Sequence, residues 1–85
     1  MQLHFSTRYD KEYNKLPPKI KQQADDRIRL FASNQFHPLL NSHSLGGKYE
    51  GCRSINITGD YRAIFYIQND LCVFIRIGTH PQLYG

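Results

Sequence analysis

The chain has 85 residues, with 11 Lys and Arg against 7 Asp and Glu, a formal net charge of +4 and a sequence pI of about 9.3. That length allows one small domain with one small core, and no run approaches the roughly 18 apolar residues of a membrane-spanning helix. The opening MQLHFSTRYD has no apolar segment of signal-peptide type, so a cytoplasmic protein without membrane contact is expected, and the basic balance favours nucleic acid or an acidic protein as partner.

Residues 2–6, QLHFS, alternate polar and apolar and predict a short strand with Leu3 and Phe5 facing in. Ser6 or Thr7 is then a helix N-cap. From Arg8 to Lys15, Tyr9, Tyr13 and Leu16 mark one helical face at i, i+4 and i+7. Pro17-Pro18 ends that helix, and Pro18 suits the first turn of a second one over about 18–34. Ile20, Ala24, Ile28, Phe31 and Ala32 form its apolar stripe. The segment NQFHPLLN, 34–41, reads as a loop touching the core through Phe36, Leu39 and Leu40. A short strand is expected around Leu45, broken at Gly46-Gly47. Three strands follow at 52–58, 61–68 and 71–77, separated by turns at Gly59-Asp60 and Asn69-Asp70. Such tight turns make an antiparallel meander. The expected fold class is α+β, with the order β-α-α-β-β-β(-β) and a helical hairpin on one face of a small antiparallel sheet.

Strand parity sorts the side chains. Arg53, Ile55 and Ile57 share one face, and Cys52, Ser54 and Asn56 the other. Tyr61, Ala63, Phe65 and Ile67 oppose Arg62, Ile64, Tyr66 and Gln68. Val73, Ile75 and Ile77 oppose Cys72, Phe74, Arg76 and Gly78. One face is apolar. The other mixes Asn, Arg and aromatics and is left open for a ligand. Cys52 and Cys72 have no metal-type spacing and read as two reduced thiols, with a disulfide between neighbouring strands as the alternative.

The stretches LGGKYEGCR, INITGDYRAIFY and IGTHPQLY, together with the element order, resemble the RelE/ParE superfamily of toxins from type II toxin–antitoxin modules, closest to the YafQ-like mRNA interferases. The resemblance covers essentially the whole chain. It implies an endoribonuclease that cuts mRNA in the ribosomal A site without metal or other cofactor, leaving a cyclic phosphate or 3′-phosphate and a 5′-hydroxyl. It also implies a cognate antitoxin, the ribosome and mRNA as partners, and a toxin–antitoxin hetero-oligomer. By position, His43, Asp60, Tyr61, His80 and Tyr84 match the residues such sites use. Asn56 stands where a second strand histidine is implied, and an amide exchanges no proton.

Cutting RNA without a metal requires a base for the 2′-hydroxyl, a donor for the phosphate charge and an acid for the leaving 5′-oxygen. His80 and His43 suit the proton transfers, with Asp60 beside them. Arg62, Arg53 and Arg76 suit phosphate, Asn56 can hydrogen-bond RNA, and Tyr84 and Tyr61 can stack a base. Each has a structural alternative. Gly59-Asp60 is ordinary turn chemistry. Arg53 shares the parity of Ile55 and can bond backbone at the sheet edge. Tyr84 can plug the sheet end, and His80 can be a surface residue. His4 and His37 read as surface or structural residues and Tyr66 as packing. A ParE-type toxin that inhibits DNA gyrase without cutting RNA shares fold and charge, and a degenerate inactive module is a third reading.

Overall fold

The computed structural model describes residues 1–85. In chain order the elements are β1 (Gln2–Phe5), α1 (Thr7–Asn14), α2 (Pro18–Ser33), a 3-10 turn (Pro38–Leu40), β2 (His43–Ser44), a second 3-10 turn (Gly47–Tyr49), β3 (Arg53–Asn56), β4 (Tyr61–Gln68), β5 (Leu71–Thr79) and α3 (His80–Tyr84). The α+β class and the helical hairpin are as expected. Ser6 is the N-cap of α1, its hydroxyl accepting from the Tyr9 N–H. Pro18 opens α2, where its missing N–H costs nothing.

The five strands form one sheet in the order β1-β5-β4-β3-β2. From β2 to β5 it is the antiparallel meander read from the turns, but β1 joins β5 in parallel, pairing Gln2 with Leu71 through Phe5 with Phe74. The sheet is therefore mixed. A crossover through two helices returns the chain to the far edge, and that path needs no tight hairpin.

One face carries the main core: Tyr9, Leu16, Ala24 and Phe31 from the helical side against Ile55, Ala63, Phe65, Cys72, Phe74 and Ile77 from the sheet. Phe74 is its centre, with Phe5, Tyr9, Phe31 and Phe65 rings between 5.2 and 6.1 Å from its own. Ala32 is exposed, and Leu30 packs against this cluster instead. The 34–41 loop reaches the core through Leu40 alone. Phe36 and Leu39, expected inward, are 71% and 59% exposed, because the tight 3-10 turn points only one of its neighbouring side chains at the sheet.

Strand parity fails in β5. Phe74 and Ile77 both face the main core, although three residues separate them. The cause is a β-bulge: Ile64 pairs with Arg76 and Phe65 with Phe74, which leaves Ile75 unpaired between them. One extra residue inverts the alternation beyond it. Arg76 thereby turns to the second face, where Tyr49, Ile64 and Leu83 form a smaller cluster with Leu45, Cys52, Ile75 and Tyr84.

The cysteines lie in these two different clusters, on opposite faces of the sheet, and both are free thiols. Burial pushes the Cys72 thiol from its ordinary 9.0 up to about 11 and raises Tyr9 further still. Below about pH 9 both groups are protonated whether the chain is folded or not. Between about 9 and 11 the unfolded chain ionises Cys72 and the folded chain does not, so stability falls as pH rises. The expected loss from Cys72 is roughly 2 kcal/mol by pH 11. Urea unfolding at pH 8 and pH 10.5, with Cys72→Ala as reference, checks it: the variant is expected to show the smaller drop.

Candidate functional site

The C-terminal stretch Gly78-Thr79-His80-Pro81-Gln82-Leu83-Tyr84 forms a capped helical turn. Thr79 is the N-cap: its Oγ1 accepts from the Gln82 N–H at 3.4 Å, and Gln82 Oε1 accepts from the Thr79 N–H at 2.8 Å. This reciprocal pair satisfies two backbone donors at once. Pro81 sits inside the first turn, where it is tolerated. Gly78 makes room beneath it, since a Cβ there would meet Gln82 Oε1 at 2.8 Å. Leu83 is fully buried, which leaves His80 and Tyr84 on the same side, ring centroids 4.7 Å apart. The chain end is thus a built element.

A network on the second face holds this helix. Arg76 Nη1 donates to the Tyr49 hydroxyl at 2.7 Å, and that hydroxyl donates to the Leu83 carbonyl at 2.9 Å. Arg76 Nε and Nη2 grip the Glu12 carboxylate at 2.9 and 2.7 Å. Glu12 also accepts the Ile77 backbone N–H at 3.1 Å. Beyond Phe74, β5 has no strand on its outer side, and α1 covers that edge with Glu12 as a substitute acceptor. The phosphate role expected for Arg76 does not fit this placement, because its fork is spent inside the fold and only 10% of its side chain is exposed. The Glu12 contact raises the Arg76 pKa further, so the guanidinium keeps its charge.

The other expected residues divide into those brought together and those kept apart. His43 on β2 faces Ser54 on β3, its Nε2 3.2 Å from Ser54 Oγ and its Nδ1 2.9 Å from the Asn41 carbonyl. Burial raises the Tyr84 pKa, while the Ser54 hydroxyl and the Arg62 charge act in the opposite direction. The Tyr84 ring stands edge-on to Tyr49 at 5.6 Å. His43 and Ser54 thus meet across β2 and β3, while Tyr84 packs between Tyr49 and His80, and Arg62 is paired opposite Gly78, two residues before His80.

Arg62 folds over the turn before its own strand, and its Nη1 donates to the carbonyls of Thr58, Gly59 and Tyr61 at 3.0, 2.9 and 3.3 Å. All three bonds use Nη1, so Nη2 and Nε remain for an anion. Asn56 lies directly across from Arg62. Its Oδ1 is buried with no hydrogen-bond partner. Asp60 is exposed and lines a shallow cleft of about 400 Å³ with Gly59, Tyr61, Thr79, His80 and Pro81. His80 thus borders the cleft while its ring packs on Tyr84. Tyr61 leans from the cleft toward the main core. Arg53 lies apart, on the helix-bearing face with Ile55, its Nε donating to Ser42 Oγ at 3.2 Å. That is the structural alternative its parity allowed.

Three contributors escaped the sequence reading: Ser54, Tyr49 and Glu12. Ser54 carried a weak signal, as a small hydroxyl on the face of Asn56. Glu12 carried none, because it meets Arg76 across 64 residues of chain.

Solved structures similar to this chain include toxins. YafQ from Escherichia coli strain BL21(DE3) superposes with a TM-score of 0.85 at 20% identity, over 99% of this chain and 98% of that one. YafQ in the E. coli DinJ–YafQ toxin–antitoxin complex gives 0.82 at 24%, over 99% and 97%. The YoeB/ParE toxin from Agrobacterium tumefaciens gives 0.78 at 20%, over 94% and 99%. At these identities the likeness shows the fold. No curated protein matches the chain. A family model described as the bacterial toxin of type II toxin–antitoxin systems, YafQ, matches residues 1–85. With its whole length matched, the chain belongs to the YafQ family of type II toxins.

Proposed function

We propose that this chain, a single toxin domain, is a metal-independent endoribonuclease that cleaves mRNA in the ribosomal A site and so stops translation in the cytoplasm. The observation that carries the reading is the position of His80. It stands on a capped helix end, against Tyr84, beside a cleft that also holds Asp60, two residues past Gly78, the register partner of Arg62. Proton transfer, phosphate charge and base stacking each have a residue within this one region. In the reaction, one histidine takes the 2′-hydroxyl proton as that oxygen attacks phosphorus. Arg62 neutralises the developing charge through Nη2 and Nε. The second histidine returns a proton to the departing 5′-oxygen, and Tyr84 holds a splayed base. Asp60, which lines the same cleft, is assigned to orient His80 once substrate is bound. Asn56 offers a hydrogen bond to the sugar or phosphate.

A cognate antitoxin is the expected regulator, on the likeness to YafQ in its complex with DinJ. An acidic antitoxin segment would complement the +4 charge.

The test is translation of a defined mRNA by purified components with the protein added, cut sites being read by primer extension. Cuts that require translating ribosomes are expected. A folded, growth-arresting protein that cuts nothing would instead support the gyrase-inhibiting reading.

A further inference from the structure

The helical hairpin holds a second cleft, of about 320 Å³, which shares no residue with the one at Asp60 and His80. Its floor is aromatic. The Phe5 and Tyr9 rings stand 5.1 Å apart, and the Tyr9 and Tyr13 rings are nearly parallel at 6.2 Å. Asp10 borders it from α1 and Asp25 from α2. The Asp10 carboxylate is exposed and has no partner within the chain. It stands in the first turn of α1, where a negative charge also suits the helix end. Asp25, in the middle of α2, has no such reason. It accepts the Tyr13 hydroxyl at 2.9 and 3.1 Å, which uses only part of its acceptor capacity.

Tyr9 supplies an independent observation. The residue lines the cleft and is 4% exposed, yet its hydroxyl has no hydrogen-bond partner in the chain. Nor is that hydroxyl sealed in, because the one fully enclosed side-chain atom without a partner is Asn56 Oδ1. A buried phenol ordinarily finds a partner, so this one is left for whatever enters the cleft. The chain's own cations do not fill it. Arg29 at the rim pairs with Asp26, and Lys21 lies 5.8 Å from the Tyr13 ring centroid without an ion pair.

An aromatic floor beneath two carboxylates and a phenol oxygen repels phosphate. It is complementary to a planar cation, whose face stacks on rings and whose edge donates hydrogen bonds. On a chain of net charge +4 such a patch is the exception. An arginine flanked by acidic residues satisfies both features: its neighbours complement the basic surface, and its guanidinium enters the one cleft that would reject them. We propose that this cleft is an arginine pocket for an acidic partner polypeptide, with Asp10, Asp25 and the Tyr9 hydroxyl accepting from the guanidinium above the aromatic floor. The inference does not depend on the nuclease reading.

The probe is a capped heptapeptide with one central arginine among glutamates. A second peptide carries citrulline there, which keeps the shape and loses the charge. The arginine peptide is expected to bind about tenfold more tightly, read by titration calorimetry, and to shift the NMR resonances of the Tyr9 and Tyr13 rings. Asp10→Asn and Asp25→Asn should each reduce that advantage. The new amide at 25 still accepts the Tyr13 hydroxyl, so the ring stays in place. Tyr9→Phe keeps the packed ring, removes only the hydroxyl and should reduce the advantage too. Urea unfolding confirms that each variant is folded. Equal binding of the two peptides, or an arginine advantage that survives all three changes, overturns the proposal. N-acetylarginine amide that binds as tightly as the peptide would overturn the polypeptide as occupant. None of these measurements reads RNA cleavage, so their failure and that of the nuclease reading are separate results.

Discussion

His80→Ala is expected to lower ribosome-dependent cleavage at least 100-fold, the usual contribution of a positioned acid or base, with little change in stability. Both halves follow from the geometry. The imidazole is exposed and makes no hydrogen bond within the chain, so the fold does not depend on it. Its helix is held elsewhere: by the Thr79–Gln82 capping pair, by buried Leu83 and by the Tyr49 hydroxyl on the Leu83 carbonyl. Surface substitutions clear of such features change stability by about 0.5 kcal/mol or less. The measurement pairs primer extension with urea unfolding on the same preparations. A variant that still cleaves at near wild-type rate would remove His80 from the chemistry and leave it as a packing partner of Tyr84. Tyr84→Ala separates the remaining roles. Its loss should fall on substrate binding if the ring stacks a base, by roughly 1–3 kcal/mol.

Arg76→Met is expected to cost about 3 kcal/mol of stability, near the lower end for breaking a buried ion pair. The side chain is 10% exposed and Glu12 23%. Methionine fills a similar volume but strands the Glu12 carboxylate and removes the donor to Tyr49. Some of the penalty is recoverable by water at the partly exposed Glu12, which keeps the figure from the upper end. The second substitution of a double-mutant cycle decides the cause. Glu12→Gln removes the charge but keeps an oxygen for the Ile77 N–H, so Glu12→Gln/Arg76→Met should be less destabilised than the sum of the two single changes. Strict additivity would mean that the two side chains act independently. Cleavage should fall along with stability in Arg76→Met, because the same guanidinium holds Tyr49 and through it α3. Near-complete recovery of activity at low temperature would show positioning rather than phosphate contact.

The positions of β4 and β5, the hairpin of α1 and α2, and the Ser6 cap were legible because each depends on neighbours a few residues away. Alternation, capping and turn geometry act over that range. The same local rule misread β5. One bulged residue at Ile75 places Phe74 with Ile77 and sends Arg76 to the other face, and a bulge arises from the fit of two strands, which no single strand records. Arg53 and Arg76 were both plausible phosphate ligands by residue type. Only their surroundings separate them: Arg76 is spent on Glu12 and Tyr49, and Arg53 is turned to the helix-bearing face with its Nε on Ser42.

The site divides in the same way. The terminal GTHPQLY was legible as special from the sequence through the resemblance it carries, whereas the capped helical turn that sets His80 beside Tyr84 was not read there. What the sequence alone determined was therefore the α+β class, the family and the chemical types available. The tertiary structure decided which of those residues meet. His43 meets Ser54 only because β2 pairs with β3, and His80 and Tyr84 take their places only because α3 packs back over the second face through Tyr49 and Arg76. Contacts of that kind follow from how distant side chains fill and satisfy one another, and no local pattern carries that information.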